Sequence, residues 1–510
     1  MAPPREYYTE GDPLVGTSSS RRIERKPFFG STSDFWFWYT NMWREESVLL
    51  FRLAVPTVII NVTVFVPMAI LSSFAGRVFG DVALSGLMIG NSFVNVAFLS
   101  IIQGLLSACD TLCPQAVGMK NYSDVGIVAL RGFIVAMVYC VVPICIDFIF
   151  GLKFILNKVI EEEEVVDFAV SFIQIWSISL PFYIWYNLTW KFLSAQEVVY
   201  PLVFSGLLSA LIILPSCLLV IAPILNFDAI PVSYLVFQIA EIFILMLFLK
   251  SEPYIPETWP QETSFAEKLK TALHVQPLLD FFHLALGGIL ATTEWWFWEV
   301  LSVIVAQFGV KAISAHAVPY QFLSIAYMFV MGVGIAFNVR IGSSLSSEPE
   351  RSKHLCLGGL VCGATICTFF SSILYFHRDS IIRIFTMDNE VIDLCNEIWP
   401  FVVIYTFFVC FFGFMSGIVN AIGYQWTLGG GVLIGLWLIT VPTIWHACVT
   451  ESGGFVLLWK ILYIPYALID LFILFVLFRV DWDELCLDVQ SRNSSHKKLP
   501  FLTERKKESY

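Results

Sequence analysis

The feature that most constrains this chain is its apolar runs. Stretches of about 20 residues with almost no charge recur from near Val48 to near Arg479. As an α-helix rising 1.5 Å per residue, a run of that length crosses the ~30 Å hydrocarbon core of a bilayer. The runs are continuous rather than alternating every second residue, which excludes a membrane β-barrel. They fill the chain nearly end to end, which excludes a soluble enzyme with one anchor. Composition agrees: 57% of the 510 residues are hydrophobic and 14% charged, against about 25% charged in soluble domains. The expected fold class is an all-α polytopic membrane protein.

Twelve helices are predicted, near 48–75, 83–108, 125–150, 165–190, 199–222, 229–250, 277–307, 312–338, 356–375, 395–420, 427–448 and 454–479. The polar, basic stretch before Val48 is not a secretory signal, because the first apolar run is too long for one. The long polar loop 251–275 divides the chain into a lobe at 48–250 and a second at 276–479. A polar arm, 1–47, and a basic tail, 480–510, flank them and read as solvated segments. Lys and Arg concentrate on the N-terminal side: Arg21, Arg22, Arg25, Lys26, Lys120, Lys191, Lys268, Lys270, Arg340 and the tail. By the positive-inside rule both termini are cytoplasmic. The halves repeat in layout, with "QGLLSACDTLCPQAVG" from Gln103 answered by "MGVGIAFNVRIGSSLS" from Met331, so that Asp110 matches Asn338. A parallel six-plus-six repeat implies a cavity between lobes and suits alternating access.

Several functions are excluded. A net charge of −11 does not suit nucleic acid. The 12 cysteines show no CxxC or His/Cys metal spacing and read as small buried hydrophobes. There is no P-loop for ATP, and no metal or nucleophile cluster for an enzyme. No metal site or organic cofactor is expected.

A carboxylate inside a membrane helix costs about 2.5–3.5 kcal/mol on insertion scales and normally faces a cavity or a partner. The clearest case is "LATTEWWFWEVLSVIV", with Glu294 and Glu299 and no basic neighbour. Burial favours the neutral carboxyl form, so such a group exchanges protons near physiological pH and attracts an organic cation when ionised. Trp295, Trp296 and Trp298 lie between them, and aromatic faces attract cations by about 0.5–2 kcal/mol. Five residues of helix separate the two carboxylates by about 140°, so one cavity holds both only if it wraps around this helix. Asn61 and Asn95 are further polar candidates. Asp110 reads as a cap or turn partner at the end of the second helix, Asp280, His283 and His316 as helix-end groups, and Glu241, Asp147 and His446 as structural or interfacial.

Four segments together, "LLSACDTLCPQAVGMKNY" (105–122), "EWWFWE" (294–299), "GVGIAFNVRIGSSL" (332–345) and "RIFTMDNEVIDL" (383–394), resemble the multidrug and toxic compound extrusion family, in its animal-type branch. The resemblance runs in order from about 50 to about 478. It implies a V-shaped fold of two six-helix lobes and a proton-coupled antiporter exporting drugs and organic cations. The branch's two seventh-helix glutamates fall on Glu294 and Glu299, its polar first- and second-helix positions on Asn61 and Asn95, and its eighth-helix aromatics on Tyr320 and Tyr327. Its eighth-helix glutamate falls on Gln321, its tenth-helix glutamate on Val409 and its tenth-helix arginine on Asn420. The expected site is therefore Glu294, Glu299, Trp295, Trp298, Asn61, Asn95, Tyr320, Gln321 and Tyr327. The expected function is secondary active export of organic cations by a monomer, driven by protons, in the plasma membrane, with an intracellular vesicle membrane as the alternative. The replaced carboxylates motivate an alternative on the same fold: a facilitator, channel or sodium-coupled exchanger of a small solute or anion.

Overall fold

The computed structural model describes residues 32–146, 151–157, 162–250, 254–259, 263–386 and 388–497. The basic residues Arg21 to Lys26 and those after Lys497 lie outside the described residues. Residues 1–48 and 49–510 form two compact units. The described part of the first unit is the opening of helix α1, and both lobes apart from that opening belong to the second.

Among the described residues all regular structure is helical. The first lobe comprises α1 (Thr32–Thr63, continued by Phe65–Val78), α2 (Asp81–Gly118), α3 (Tyr122–Ile146), α4 (Glu163–Ser177 and Leu180–Ala195), α5 (200–225) and α6 (Ala229–Phe248). The second comprises α7 (Val275–Ala306), α8 (Val310–Leu345), α9 (Pro349–Phe376), α10 (Asn389–Ile422), α11 (Gln425–Thr450) and α12 (Gly454–Arg479). The apolar stretch Tyr200–Phe248 has 49 residues, about 73 Å of helix, too long for one ~30 Å crossing. It turns back at Asn226–Asp228, where Asn226 has φ +50°, and its halves α5 and α6 pack together. The result is twelve passes, with the ends of α2, α8 and α10 on one side (the near face).

Local sequence explains the breaks. Pro67 cannot donate to the carbonyl a turn earlier, and α1 is interrupted at Val64. Leu180–Pro181 opens the second half of α4, which bends by 55° there; a residue before proline avoids the helical region. Gly423 ends α10 in the left-handed conformation at φ +80°, a geometry that a Cβ penalises.

Four boundaries differ from the sequence expectation. The second helix continues past 108 to Gly118, because Asp110, Thr111 and Gln115 find partners inside the protein and do not need the membrane surface. Helix α1 begins at Thr32, well before 48. The loop 251–275 contains a short helix, Phe265–Ala272, opened by a capping box of Ser264 and Glu267. It is tied to α3 by Arg131 Nε donating to Ala272 O at 2.9 Å. The tail is not all solvated: α13 (Trp482–Lys497) buries Trp482, Leu485, Cys486 and Val489 along one helical stripe. Gln490 Nε2 donates to Ser346 O at 2.8 Å, docking α13 beside the end of α8.

Candidate functional site

Helices α2 and α7 form the seam between the lobes, and small residues let them approach. A Cβ on Gly104 would stand 2.5 Å from Ile289 Cα, and one on Gly288 would overlap the Ser107 hydroxyl. Close backbone contact through small residues is a usual means of joining helices in lipid. Further along, Trp296 Nε1 donates to Ser100 Oγ at 2.6 Å. Beside the seam lies a cavity of about 430 Å³, within the range of small-molecule sites.

Both α7 carboxylates line this cavity, which wraps around the helix as their angular separation requires. Glu294 turns toward the second lobe. It is 1% exposed and accepts hydrogen bonds from Trp298 Nε1 at 2.6 Å, the Tyr466 hydroxyl at 2.9 Å and the Tyr327 hydroxyl at 3.3 Å. All three donors are uncharged. Glu299 turns toward the first lobe and accepts from the Ser92 hydroxyl at 3.3 Å. Trp298 stands edge-on to Tyr320, with ring centres 5.4 Å apart, and tilts against Tyr405 at 5.9 Å. An aromatic wall with a carboxylate in it can accept a cation both by charge and by ring quadrupole.

Of the residues singled out from sequence, Asn61, Asn95, Trp295, Trp298, Tyr320 and Tyr327 share this cavity with the two glutamates. Gln321 does not: it sits on the exposed side of α8, one residue around from Tyr320. Val409 is buried inside the second lobe. His316 is buried against Trp459 and Tyr320, not at a wet helix end.

The structure adds residues that sequence reasoning missed or set aside. Asp110 is no helix cap. It lines the cavity and pairs with Lys191 of α4 at 2.6 and 2.8 Å. Its counterpart in the repeat, Asn338, also lines the cavity and donates to Gly417 O at 3.0 Å. Tyr466 lies in "LYIPYALID", where a polar-tipped aromatic in an otherwise apolar run was the available signal. Glu241, read as structural, is a wall residue of the first lobe. Among the described residues the wall thus carries four carboxyl groups and one amine.

At the near face the lobes are tied together. The carbonyls of Asn420 and Ala421, at the end of α10, lack the donors that a continuing helix would supply. Thr111 Oγ1 donates to Asn420 O at 2.5 Å and Gln115 Nε2 to Ala421 O at 2.9 Å. Gln425 Nε2 donates to Thr111 Oγ1 at 2.6 Å, and Arg340 pairs with Glu197 at 2.5 Å. Side chains of one lobe thus cap a helix of the other at the near face.

Comparison with known proteins gives the same outline. The MatE family model matches residues 56–219 and 288–445, covering both lobes. The chain is 26% identical over 477 residues to multidrug and toxin extrusion protein 1 of Danio rerio, covering 92% of this chain and 77% of that protein. It is 29% identical over 440 residues to multidrug and toxin extrusion protein 2 of Oryctolagus cuniculus, covering 80% and 70%. Its fold is similar to the crystal structure of the eukaryotic MATE transporter AtDTX14, with a TM-score of 0.77 and 20% identity over 88% of this chain and 99% of that one. It is also similar to the Vibrio cholerae MATE transporter VcmN, with a TM-score of 0.71 and 15% identity over 87% and 99%. A seam of two helices, a cavity around α7 and a family pattern spanning both lobes lead to one conclusion: the chain belongs to the MatE family of membrane transporters and is not an enzyme.

Proposed function

We propose that this transporter exports organic cations by secondary active antiport, with protons as the coupling ion and both termini in the cytoplasm. The observation that carries the reading is Glu294: buried, on the wall of an aromatic cavity and bonded by three uncharged donors. Among the described residues no cationic side chain pairs with it, so a proton and an organic cation compete for the same carboxylate. The names of its relatives, multidrug and toxin extrusion proteins, support the same substrate class. Coupling requires that the two ligands bind the two access states with different affinities. The near-face ties between lobes supply one such state, closed on that side.

The test uses purified protein in liposomes with an acidic interior and a fluorescent organic cation outside. Uptake is expected to follow the proton gradient and to be lost in Glu294→Gln, which keeps the shape and removes the titratable charge. Uptake driven by a sodium gradient and indifferent to protons would replace the proton by sodium. That second reading is motivated by Gln321 and Val409, which leave Glu294 as the buried carboxyl group that the second lobe's side of the cavity offers. Uptake indifferent to every gradient would make the protein a facilitator.

A further inference from the structure

The first lobe holds a carboxylate that the proposed exchange at Glu294 does not use. Glu241 of α6 is 6% exposed and lines the same cavity. It lies about twelve residues, ~18 Å, from the α6 end on the face opposite the near face. Glu294 is as far from the corresponding end of α7. The two therefore stand at the same depth, Glu241 on a first-lobe helix and Glu294 turned toward the second lobe. Around Glu241 are the hydroxyls of Tyr186 and Tyr183 on α4 and of Tyr234 on α6, and among the described residues no charged side chain pairs with it.

The two carboxylates differ in what they lack. Glu294 already accepts three hydrogen bonds. Beside Glu241, the Tyr186 hydroxyl has one proton to give and shares it between that carboxyl group and Leu202 O, which lies 3.3 Å away. One helical turn before Glu241, Gln238 is 3% exposed and its Oε1 has no hydrogen-bond partner, while its Nε2 donates to the Tyr234 hydroxyl at 3.1 Å. Positions three apart share a helix face, so a carboxylate and an unpartnered carbonyl oxygen stand on one wall. Gly206 of α5 adjoins this wall: a Cβ there would stand in ordinary contact, 3.5 Å from Glu241 Oε1 and 3.4 Å from the Tyr186 hydroxyl. A π-turn in α5, Ser209–Ile213, packs on α6 beside this wall, a distortion often found at functional sites. A buried acceptor without a donor, as Gln238 Oε1 is, is costly, and a ligand bringing N–H groups would satisfy it while pairing with the Glu241 carboxylate.

We infer that Glu241 and Gln238 form a second cation subsite, specific for a protonated amine with N–H donors, whereas the Glu294 wall takes quaternary and aromatic cations as well. The inference rests on the cation reading proposed above. A substrate with a protonated amine at one end and an aromatic or charged group at the other would span the cavity.

The test measures binding of 3-phenylpropylammonium and of its N,N,N-trimethyl analogue to the purified full-length protein by calorimetry. The trimethyl compound keeps the charge and has no N–H. Glu241→Gln is expected to weaken the ammonium roughly tenfold or more, as for loss of a charge-assisted hydrogen bond, and the trimethyl analogue less than about twofold. Gln238→Met is expected to discriminate in the same direction by a smaller factor, and decides the question should Glu241→Gln fail to fold. Glu294→Gln is expected to weaken both probes. Equal loss of both probes in the first-lobe variants at unchanged melting temperature, or no loss of either, overturns the subsite while leaving the Glu294 reading intact. Failure of the unaltered protein to bind either probe overturns both.

Discussion

Replacing Gln115 by leucine tests whether the near-face ties set the balance between access states. Gln115 is 2% exposed and its Nε2 donates to Ala421 O at 2.9 Å across the lobe boundary. Leucine is similar in size and cannot donate. In the closed arrangement the Ala421 carbonyl would be buried without a partner, at a cost of about 1–3 kcal/mol. Once the lobes part, water reaches that carbonyl and the cost disappears. The open-to-closed ratio on this face should therefore rise by roughly 5- to 150-fold. Thr111→Val should do less, because Asn420 O also accepts from Gly423 N–H at 3.2 Å and keeps one donor. Spin labels at Lys120 and Ser347, both exposed near-face positions, would report the opening in nanodiscs as a long-distance population in pulsed dipolar spectra. If Gln115→Leu leaves the distance distribution unchanged, or Thr111→Val exceeds it, capping of α10 by the other lobe does not hold this face shut.

Further expectations rest on individual contacts. Lys191→Met strands the Asp110 carboxylate in the cavity wall; with side chains 15% and 26% exposed, a loss of about 1–3 kcal/mol is expected, read as a lower melting temperature that Asp110→Asn in the same chain restores. Tyr466→Phe removes the 2.9 Å bond to Glu294 and should alter cation transport with folding intact, whereas Tyr463→Phe, which makes no such bond, should transport normally. Gly288→Ala drives a Cβ into Ser107 Oγ and to 2.5 Å from the Gly104 carbonyl oxygen and should abolish folded yield, which Ser107→Gly should not restore because the backbone clash remains. Burial, with Asp483 nearby, pushes the Cys486 thiol above its usual range. Its thiolate fraction at neutral pH is therefore small, and maleimide labelling should be slow until pH rises or α13 undocks; fast labelling at neutral pH would mean that α13 does not dock as described.

How much of this was legible in the sequence depended on what each residue type can signal alone. The passes were legible because each apolar run is long enough to cross a bilayer, and Glu294 was legible because a carboxylate amid tryptophans has no cheap place in lipid. Tyr466 was hidden, since a tyrosine in an apolar helix packs as readily as it donates. Asp110 was misread because its partner Lys191 lies 81 positions away, and no local pattern around either residue announces that pairing. Gln321 was placed at the site by register with a family motif, yet one residue along a helix is a 100° turn, enough to carry its side chain out of the cavity. Glu241 was set aside because a lone glutamate in a single helix does not reveal whether a cavity lies beside it.

The glycine seam between α2 and α7 has a mechanical consequence. Helices that meet through interlocked side chains move past one another in steps, each side chain leaving one hollow for the next. Along Gly104 and Gly288 there are few knobs to lift, so the seam is built as a smooth bearing. Resistance to the rocking of the lobes then sits in discrete polar contacts: the Trp296–Ser100 bond further along the seam, the hydrogen-bonded cap of α10 and the Arg340–Glu197 pair at the rim. A transporter arranged this way can be tuned in speed by substitutions at its edge, while its axle stays the same.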